Sequence, residues 1–252
     1  MRTVLITGGA SGLGKELCKM FKNNNYNVLF TYNSAILDNE LDGCIGFKCD
    51  LKEEEDIHKL LDEIDSKYSV DILVNNAAIE FNTSFDEKTK SDFINVLEVN
   101  LIAPFLLSRF FGTKMKERKY GKIINISSNN SIDKFDPITL EYDASKAALN
   151  NLTKNLAVEF SPYVMVNAIA PGWILTDKVK SLNESLNNKL EEEEGKKILL
   201  NRFATCKDIG NLVLFLASDK SNYINGEIIR IDGGSYDRWE TCKIIWRMWR
   251  RS

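Results

Sequence analysis

The residues best suited to acid–base chemistry in this sequence are Tyr142 and Lys146, in the stretch Tyr-Asp-Ala-Ser-Lys. Two residues four apart on a helix lie on one face, one turn from each other. A free tyrosine titrates near ~10, and a neighbouring ammonium favours its phenolate, so we expect Lys146 to lower the pKa of Tyr142. Such a tyrosine can exchange a proton with an oxygen of a bound substrate. A surface contact is the alternative interpretation, and the surrounding elements must decide between the two.

A glycine-rich turn follows the first predicted strand, residues 3–7. Its sequence is Gly8-Gly9-Ala10-Ser11-Gly12-Leu13-Gly14, and apolar residues then recur at helical spacing as far as Phe21. Glycines let the backbone approach a pyrophosphate, and the start of a helix offers it N–H groups and a positive dipole. The pattern favours a nucleotide-binding turn over an ordinary strand–helix turn.

Strands and helices alternate along the chain. Strands are predicted over residues 3–7, 26–32, 45–48, 71–74, 122–127, 164–170 and 227–231, and later helices over residues 52–67, 85–115 (one or two helices), 142–159, 177–197 and 209–217. This order predicts an α/β fold, a single-domain, Rossmann-type, doubly wound parallel sheet with helices on both faces. Ligands of such sheets bind beyond the carboxyl ends of the strands, where the glycine turn and residues 75–78, 127–128 and 171–172 all fall.

The end of the second predicted strand bears on the choice of cofactor. An Asp or Glu there would bind the ribose 2′-hydroxyl of NAD and repel a 2′-phosphate. This chain has Tyr32-Asn33-Ser34, and the next acid is Asp38. We therefore favour NADP(H) over NAD(H), although no arginine or lysine is placed there to hold the phosphate. Lys15 is the nearest cation in sequence, and a solvated helix lysine explains it equally well.

Composition limits the remaining classes of protein. The chain has 252 residues, 44% of them hydrophobic, a net charge of −3, five cysteines and one histidine. These values predict one α/β domain, no nucleic-acid partner and no metal site, and reduced thiols in a cytoplasmic protein. We find no signal peptide and no run of about 18 apolar residues, so we expect no membrane partner.

Taken together, the motifs resemble those of the short-chain dehydrogenase/reductase family over residues 3–234. The matching segments are Thr7-Gly8-x-x-x-Gly12-x-Gly14, Asn75-Asn76-Ala77, Asn100, Ser128, Tyr142-x-x-x-Lys146, Asn167-x-x-x-Pro171-Gly172-x-x-x-Thr176 and Ile231-Asp232-Gly233-Gly234. Their joint order and their positions after predicted strands make the resemblance specific, although each motif alone is weak.

The resemblance implies a role for each matching residue. Tyr142 is the expected general acid/base, and Lys146 binds the nicotinamide ribose and lowers the pKa of the tyrosine. Ser128 hydrogen-bonds the substrate carbonyl, and Asn100 holds a water molecule that links the lysine to solvent. The residues expected to contact the cofactor are Gly8, Ser11, Gly12, Leu13, Gly14, Tyr32, Asn33, Asp50, Leu51, Asn76, Ala77, Tyr142, Lys146, Pro171, Gly172 and Thr176.

The sequence departs from the family pattern in three places. Ala78 stands where the family usually has glycine. Ser128 lies one position further from Tyr142 than is common, which leaves Ser127 as an alternative; we favour Ser128. The loop of residues 129–141 is polar and lies where substrate should bind, which indicates either a polar substrate or an exposed loop.

The chain ends in a basic and aromatic extension, residues 235–252, after an expected dinucleotide-binding domain of residues 1–234 that includes the substrate site. Trp239, Cys242, Trp246 and Trp249 recur there at helical spacing among basic residues. We favour packing on a neighbouring subunit, or a poorly ordered extension, over binding to a membrane surface or an acidic partner.

The leading hypothesis is an NAD(P)(H)-dependent oxidoreductase that interconverts a small-molecule carbonyl and a secondary alcohol by hydride transfer. Members of the 3-oxoacyl-(acyl-carrier-protein) reductase group resemble it most, which implies a thioester-borne substrate and a homo-oligomer, either a dimer or a homotetramer. Lys116, Arg118 and Lys119 are candidates for a basic patch that would bind an acidic carrier. The alternatives are an NAD-dependent sugar or polyol dehydrogenase and a catalytically silent dinucleotide-binding sensor or scaffold.

Overall fold

The computed structural model describes residues 1–35, 39–134 and 136–235. The strands are β1 Thr3–Ile6, β2 Asn27–Tyr32, β3 Ile45–Lys48, β4 Ile72–Asn75, β5 Gly121–Ile126, β6 Val164–Pro171 and β7 Ile228–Ile231. The α-helices are α1 Gly12–Asn23, α2 Glu54–Asp65, α3 Lys90–Leu97, α4 Ala103–Glu117, α5 Leu140–Phe160, α6 Asp177–Ser185, α7 Lys189–Gly195 and α8 Cys206–Ala217. Short 3-10 helices occur at Asn39–Leu41, Phe85–Glu87, Asn129–Ser131, Pro137–Thr139 and Asp219–Ser221.

The described residues form one seven-stranded sheet in the order β3-β2-β1-β4-β5-β6-β7. Neighbouring strands are parallel, and Val4 in β1 pairs with Val28 in β2 on one side and with Ile72 in β4 on the other. The strand order therefore reverses at β1. Open sheets of this kind bind ligands at the carboxyl edge where the order reverses. The predicted doubly wound fold is confirmed.

The strands are apolar because both faces of the sheet are covered. In β1, Leu5 packs into a core with α2, α4 and α5. Its neighbours Val4 and Ile6 point to the opposite face, where α1 and α8 complete a second core. All three side chains are fully buried. This two-sided burial produces the near-continuous apolar strands from which the fold could be predicted.

Two helical regions differ from the prediction. α3 and α4 form one continuous run through a π-helical segment, Glu98–Ile102. The helix predicted over residues 177–197 is instead two helices, α6 and α7, because Asn187 and Asn188 take positive φ angles of 52° and 62° between them. Asparagine tolerates this left-handed conformation better than most residues, so the chain turns there.

The run Lys90–Glu117 is long and apolar enough to cross a membrane by length and composition alone, although the sequence suggested no such span. Core helices pass the same test, and 44% of its most apolar window is buried within the fold. Leu107 and Phe111 of this run pack in the core beside the sheet. The burial of this helical run in the core accounts for its apolar composition.

The described chain ends at Ser235, which forms an isolated antiparallel bridge with Ile198. The tryptophan-rich segment of the sequence lies beyond it, outside the described residues. The proposed division into residues 1–234 and 235–252 therefore stays a prediction, as does the role of the extension.

Candidate active site

The glycine turn after β1 closes tightly over the start of α1. Gly8 and Gly12 have positive φ angles of 67° and 50°, which favour glycine. A Cβ on Gly14 would lie 2.1 Å from the carbonyl oxygen of Gly8 and 2.7 Å from Nδ2 of Asn76. Only a residue without a side chain fits there. A phosphate can therefore approach the backbone of the turn closely and reach the first N–H groups of α1.

The side chains that directly follow β1 and β4 hold the two sides of the sheet crevice together. Thr7 Oγ1 accepts hydrogen bonds from the backbone N–H groups of Asn76, at 2.9 Å, and Ala77, at 3.0 Å. In return, Nδ2 of Asn76 donates to the carbonyl oxygen of Thr7 at 2.8 Å. The segment after β4 is thereby fixed against the glycine turn.

A cavity of about 440 Å³ lies at the carboxyl ends of the first four strands. Twelve of the residues predicted to contact a cofactor line it: Gly8, Ser11, Gly12, Leu13, Gly14, Tyr32, Asn33, Asp50, Leu51, Asn76, Ala77 and Thr176. Four others predicted for that role do not line it: Tyr142, Lys146, Pro171 and Gly172. The narrow glycine turn at one wall and the mixed polar and apolar lining elsewhere fit a dinucleotide.

Sequence reasoning missed part of the cavity wall. The additional lining residues are Thr31, Cys49, Lys52, Ala78, Ile79, Val99, Asp177 and Lys178. Each is within two positions of a predicted site residue, and that proximity in the chain was the available signal. Lys52 is the most informative addition, because it puts a cation near Asp50 in the wall where the sequence suggested none; its Nζ lies 3.9 Å from Asp50 Oδ2.

Tyr142 lies in the first turn of α5 and is partly buried. The side chain of Ser128 lies near its hydroxyl and acts on the pKa of the tyrosine. Ser127, the alternative serine, instead contacts Ser131 Oγ at 3.1 Å and donates to the carbonyl oxygen of Lys146 at 3.3 Å. The geometry thus places Ser128, rather than Ser127, beside the tyrosine.

The pKa of Tyr142 is raised, and the expectation that it would be lowered is wrong for this structure. Burial is the largest cause, and the charge of Glu80 adds to it, while the side chain of Ser128 acts in the opposite direction. Lys146 does not reverse the shift, because burial also disfavours the charged form of the lysine. The phenol, rather than the phenolate, is therefore the form that the site holds at neutral pH.

Lys146 is buried beneath the tyrosine, with only 2% of its surface exposed. Its Nζ lies 5.5 Å from the centre of the Tyr142 ring and donates to the carbonyl oxygen of Ile126, at the end of β5, at 2.7 Å. Burial lowers the pKa of Lys146 to about 7, and the charge of Glu80 opposes this shift. The lysine is therefore only partly charged at neutral pH.

Asn100 is fully buried inside the π-helical segment. Its Oδ1 accepts from the N–H of Ile79 at 2.9 Å, and its Nδ2 donates to the carbonyl oxygen of Ile79 at 2.9 Å and to Ser145 Oγ at 3.1 Å. The π-helical turn is common at functional sites. Asn100 thus joins the segment after β4 to the helix that carries Tyr142. Its predicted water molecule stays a prediction.

Glu80 is a charged residue of the site that sequence reasoning did not find. It follows Ile79, and its Oε1 lies 3.0 Å from Nζ of Lys178 at the start of α6. Its carboxylate acts on the pKa values of both Tyr142 and Lys146. The only signal in the sequence was an acid four positions after Asn76.

The polar loop before α5 is exposed at residues 132, 133, 136–138 and 140 but buried at its two ends. Asn129 is buried, and Glu141 is fully buried in an ion pair with Lys88. Asn130 is engaged with Asp143 through a hydrogen bond of 2.9 Å. The prediction of either a polar substrate surface or an exposed loop is therefore wrong for Glu141, which contacts other parts of the protein.

The fold and these motifs agree with the comparisons to known proteins. The family model described as Enoyl-(Acyl carrier protein) reductase matches residues 8–236. The chain belongs to the short-chain dehydrogenase/reductase family. This confirms the resemblance seen in the motifs.

Curated relatives align over nearly the full chain. The 3-oxoacyl-(acyl-carrier-protein) reductase FabG of Aquifex aeolicus (strain VF5) is 34% identical, over 92% of this chain and 96% of the relative. The 2-dehydro-3-deoxy-D-gluconate 5-dehydrogenase of Bacillus subtilis (strain 168) is also 34% identical, over 94% of this chain and 95% of the relative. The two relatives act on chemically different substrates, so similarity alone does not choose between them.

Solved structures confirm the fold. The 4-hydroxyisoleucine dehydrogenase complexed with NADH superposes with a TM-score of 0.85 at 33% identity, over 93% of this chain and 98% of that chain. ElxO with NADP bound gives a TM-score of 0.85 at 29% identity, over 93% and 98%. The chain is an NAD(P)(H)-dependent oxidoreductase that interconverts a carbonyl and a secondary alcohol.

Proposed function

We propose that the chain reduces a ketone to a secondary alcohol, with Tyr142 as the proton donor. The observation that carries this proposal is the position of the Ser128 side chain near the hydroxyl of Tyr142, a tyrosine whose pKa is raised. A phenol that keeps its proton at neutral pH is an acid rather than a base. Both hydroxyls can donate to one substrate oxygen and stabilise the negative charge that develops on it during reduction.

The position of each cavity residue indicates which part of the dinucleotide it would bind. The glycine turn and the start of α1 would hold the pyrophosphate, Asp50 and Leu51 the adenine, and Thr176 the nicotinamide end. When bound, the dinucleotide supplies the hydride. Lys146 would bind the nicotinamide ribose, and Asn100 would support the water molecule through which a proton returns to the tyrosine.

We also infer that NADP(H) is preferred over NAD(H). The residues of β2 and its end that line the cavity are Thr31, Tyr32 and Asn33, none of which would repel a 2′-phosphate. Lys52 lines the same cavity and is the cation that favours the phosphate. Fluorescence titration with NADPH and NADH tests this preference; tighter binding of NADH would contradict it.

A 3-oxoacyl thioester is the substrate we favour, since several curated relatives are named as 3-oxoacyl-(acyl-carrier-protein) reductases. The basic patch suggested for an acidic carrier is not near the site, however. Lys116 to Lys119 directly precede β5 at the amino edge of the sheet, opposite the cavity, and Lys116 is paired with Glu159. Any carrier would have to be recognised through other residues.

A sugar-acid or polyol dehydrogenase is the second candidate, and the Bacillus subtilis relative favours it. The two candidates separate in one experiment, in which NADPH or NADP⁺ is supplied with acetoacetyl-CoA and with a panel of keto and hydroxy sugar acids. Turnover of the thioester alone supports the first candidate, and turnover of the sugar acids alone supports the second. Cofactor binding without turnover of any compound would instead indicate a silent dinucleotide sensor.

We further propose that the protein works as a cytoplasmic homo-oligomer, a dimer or a tetramer. The apolar side chains left on the surface, such as Val158 at 79% exposed on α5, support a buried subunit contact. Light scattering on the purified protein measures its mass directly, and a monomer at micromolar concentration would contradict this proposal.

A further inference from the structure

A buried ion pair lies directly beside the proposed proton donor. The side chains of Lys88 and Glu141 are 4% and 0% exposed. Lys88 Nζ lies 2.7 Å from Oε2 and 2.9 Å from Oε1 of Glu141. It also donates to the carbonyl oxygens of Phe81, at 2.9 Å, and Ile138, at 2.5 Å. One ammonium therefore contacts oxygens from two separate segments of the chain, one after β4 and one at the start of α5.

Stability alone does not explain this arrangement. Removing two charges from water is costly, and apolar residues of similar volume often stabilise a core at least as well as a buried ion pair. The ion pair differs from an apolar pair in its directional contacts. A lysine surrounded by four oxygens fixes the relative positions of the segments that supply them.

Those segments are the ones that build the proposed site. Glu141 immediately precedes Tyr142 in the first turn of α5. Its Oε1 also accepts from the N–H of Phe81 at 3.3 Å, so both backbone groups of Phe81 are bound to the pair. Two positions earlier, both backbone groups of Ile79 are bound to Asn100. Glu80, between Ile79 and Phe81, is therefore held on both sides.

We propose that Lys88 and Glu141 are positioning residues, which fix Tyr142 and Glu80 relative to each other for proton transfer. The inference rests on the proposed role of Tyr142. Neither residue lines the cofactor cavity, so the pair acts on the reaction rather than on dinucleotide binding. Misplacement of a catalytic group by about 1 Å can cost on the order of a hundredfold in rate.

The test compares single variants with an apolar replacement of the whole pair. Lys88→Met and Glu141→Gln each leave one buried partner unsatisfied, and we expect both to lower the melting temperature and to lower kcat by about tenfold to a hundredfold. The double variant Lys88→Met/Glu141→Leu should recover part of the melting temperature, because no unpaired charge stays buried while the backbone groups of Phe81 and Ile138 still lose their partners, but it should not recover kcat. The dissociation constant for NADPH should stay at the wild-type value in all three. Lys67→Met/Glu63→Gln, which removes an exposed pair at the end of α2, is the matched control.

Activity is measured with the ketone that the wild type reduces fastest in the panel above, and amide hydrogen exchange of residues 79–84 and 140–146 is measured alongside it. We expect faster exchange in both segments of the apolar double variant, although its melting temperature is higher than that of either single variant. A double variant with wild-type kcat and wild-type exchange would overturn the proposal. If the double variant does not fold, wild-type kcat in Glu141→Gln would overturn it equally.

The exchange measurement does not depend on turnover. If the wild type reduces no ketone, the proposed function fails. The positioning of the two segments is then decided by exchange alone: wild-type protection in a stable apolar variant rejects it, and lost protection supports it.

Discussion

Nζ of Lys146 donates a hydrogen bond to the carbonyl oxygen of Ile126 over 2.7 Å, at the end of the central strand β5. A neutral amine and an ammonium can both make this bond, because both carry N–H donors. The bond therefore holds the lysine in place whichever form is present. The lysine can therefore change its protonation state when a dinucleotide binds and still keep its bond to the end of β5.

The buried lysine makes the stability of the protein depend on pH. Its pKa is lowered from 10.5 to about 7 in the folded protein, so between these values the unfolded chain holds a proton that the folded protein lacks. Stability then rises with pH across this window. Relative to Lys146→Met, the wild type should gain up to about 1.4 kcal/mol per pH unit between pH 7 and 10.

Urea unfolding at several pH values measures this difference. Lys154→Met, which removes an exposed lysine from the same helix, is the control and should show no such trend. Equal slopes for the wild type and Lys146→Met would contradict a lowered lysine pKa.

Gly14→Ala should destroy the dinucleotide site. The new methyl group would lie 2.1 Å from the carbonyl oxygen of Gly8, so the turn must open and the phosphate-binding backbone must move. We expect a loss of about 1–3 kcal/mol in the free energy of unfolding and loss of measurable NADPH binding. Gly195→Ala, whose methyl group would be no closer than 3.7 Å to Asn201, should bind NADPH normally. Normal affinity in Gly14→Ala would place the dinucleotide elsewhere.

The strands and the doubly wound parallel class of the sheet could be predicted because both faces are buried, which makes each strand an apolar run. β3, for example, was predicted over residues 45–48 and is found at Ile45–Lys48. The cavity residues could be predicted because they follow strands whose carboxyl ends meet at one edge. The local sequence is therefore sufficient to predict the strands and the residues that follow them.

The energetics of the site could not be predicted in this way. The spacing of Tyr142 and Lys146 suggested mutual stabilisation of charge, but the burial of both groups depends on helices and loops distant in sequence. Lys88 and Glu141 are 53 positions apart, and Glu80 and Lys178 are 98 apart. Neither pair belongs to a motif, so only the folded chain reveals it.

Glu80 and Lys178 should shift the pH profile of ketone reduction in opposite directions. The Glu80 carboxylate raises the pKa values of Tyr142 and Lys146, so Glu80→Gln should move the loss of activity at high pH to a lower pH. Lys178→Met removes the partner of Glu80, and its profile should move to a higher pH. Glu184→Gln, an exposed change on α6, should leave the profile unchanged. Shifts of the same sign in the first two variants would show that Glu80 does not act through its charge.

The role of Tyr142 as proton donor is tested most directly by Tyr142→Phe, which removes one hydroxyl and keeps the ring. We predict that kcat for reduction falls by about 10² to 10⁴-fold while the protein still binds NADPH, because general acid catalysis contributes about that much. Tyr163→Phe, at an exposed position beyond the end of α5, should retain the wild-type rate. Full ketone reduction by Tyr142→Phe would contradict the account.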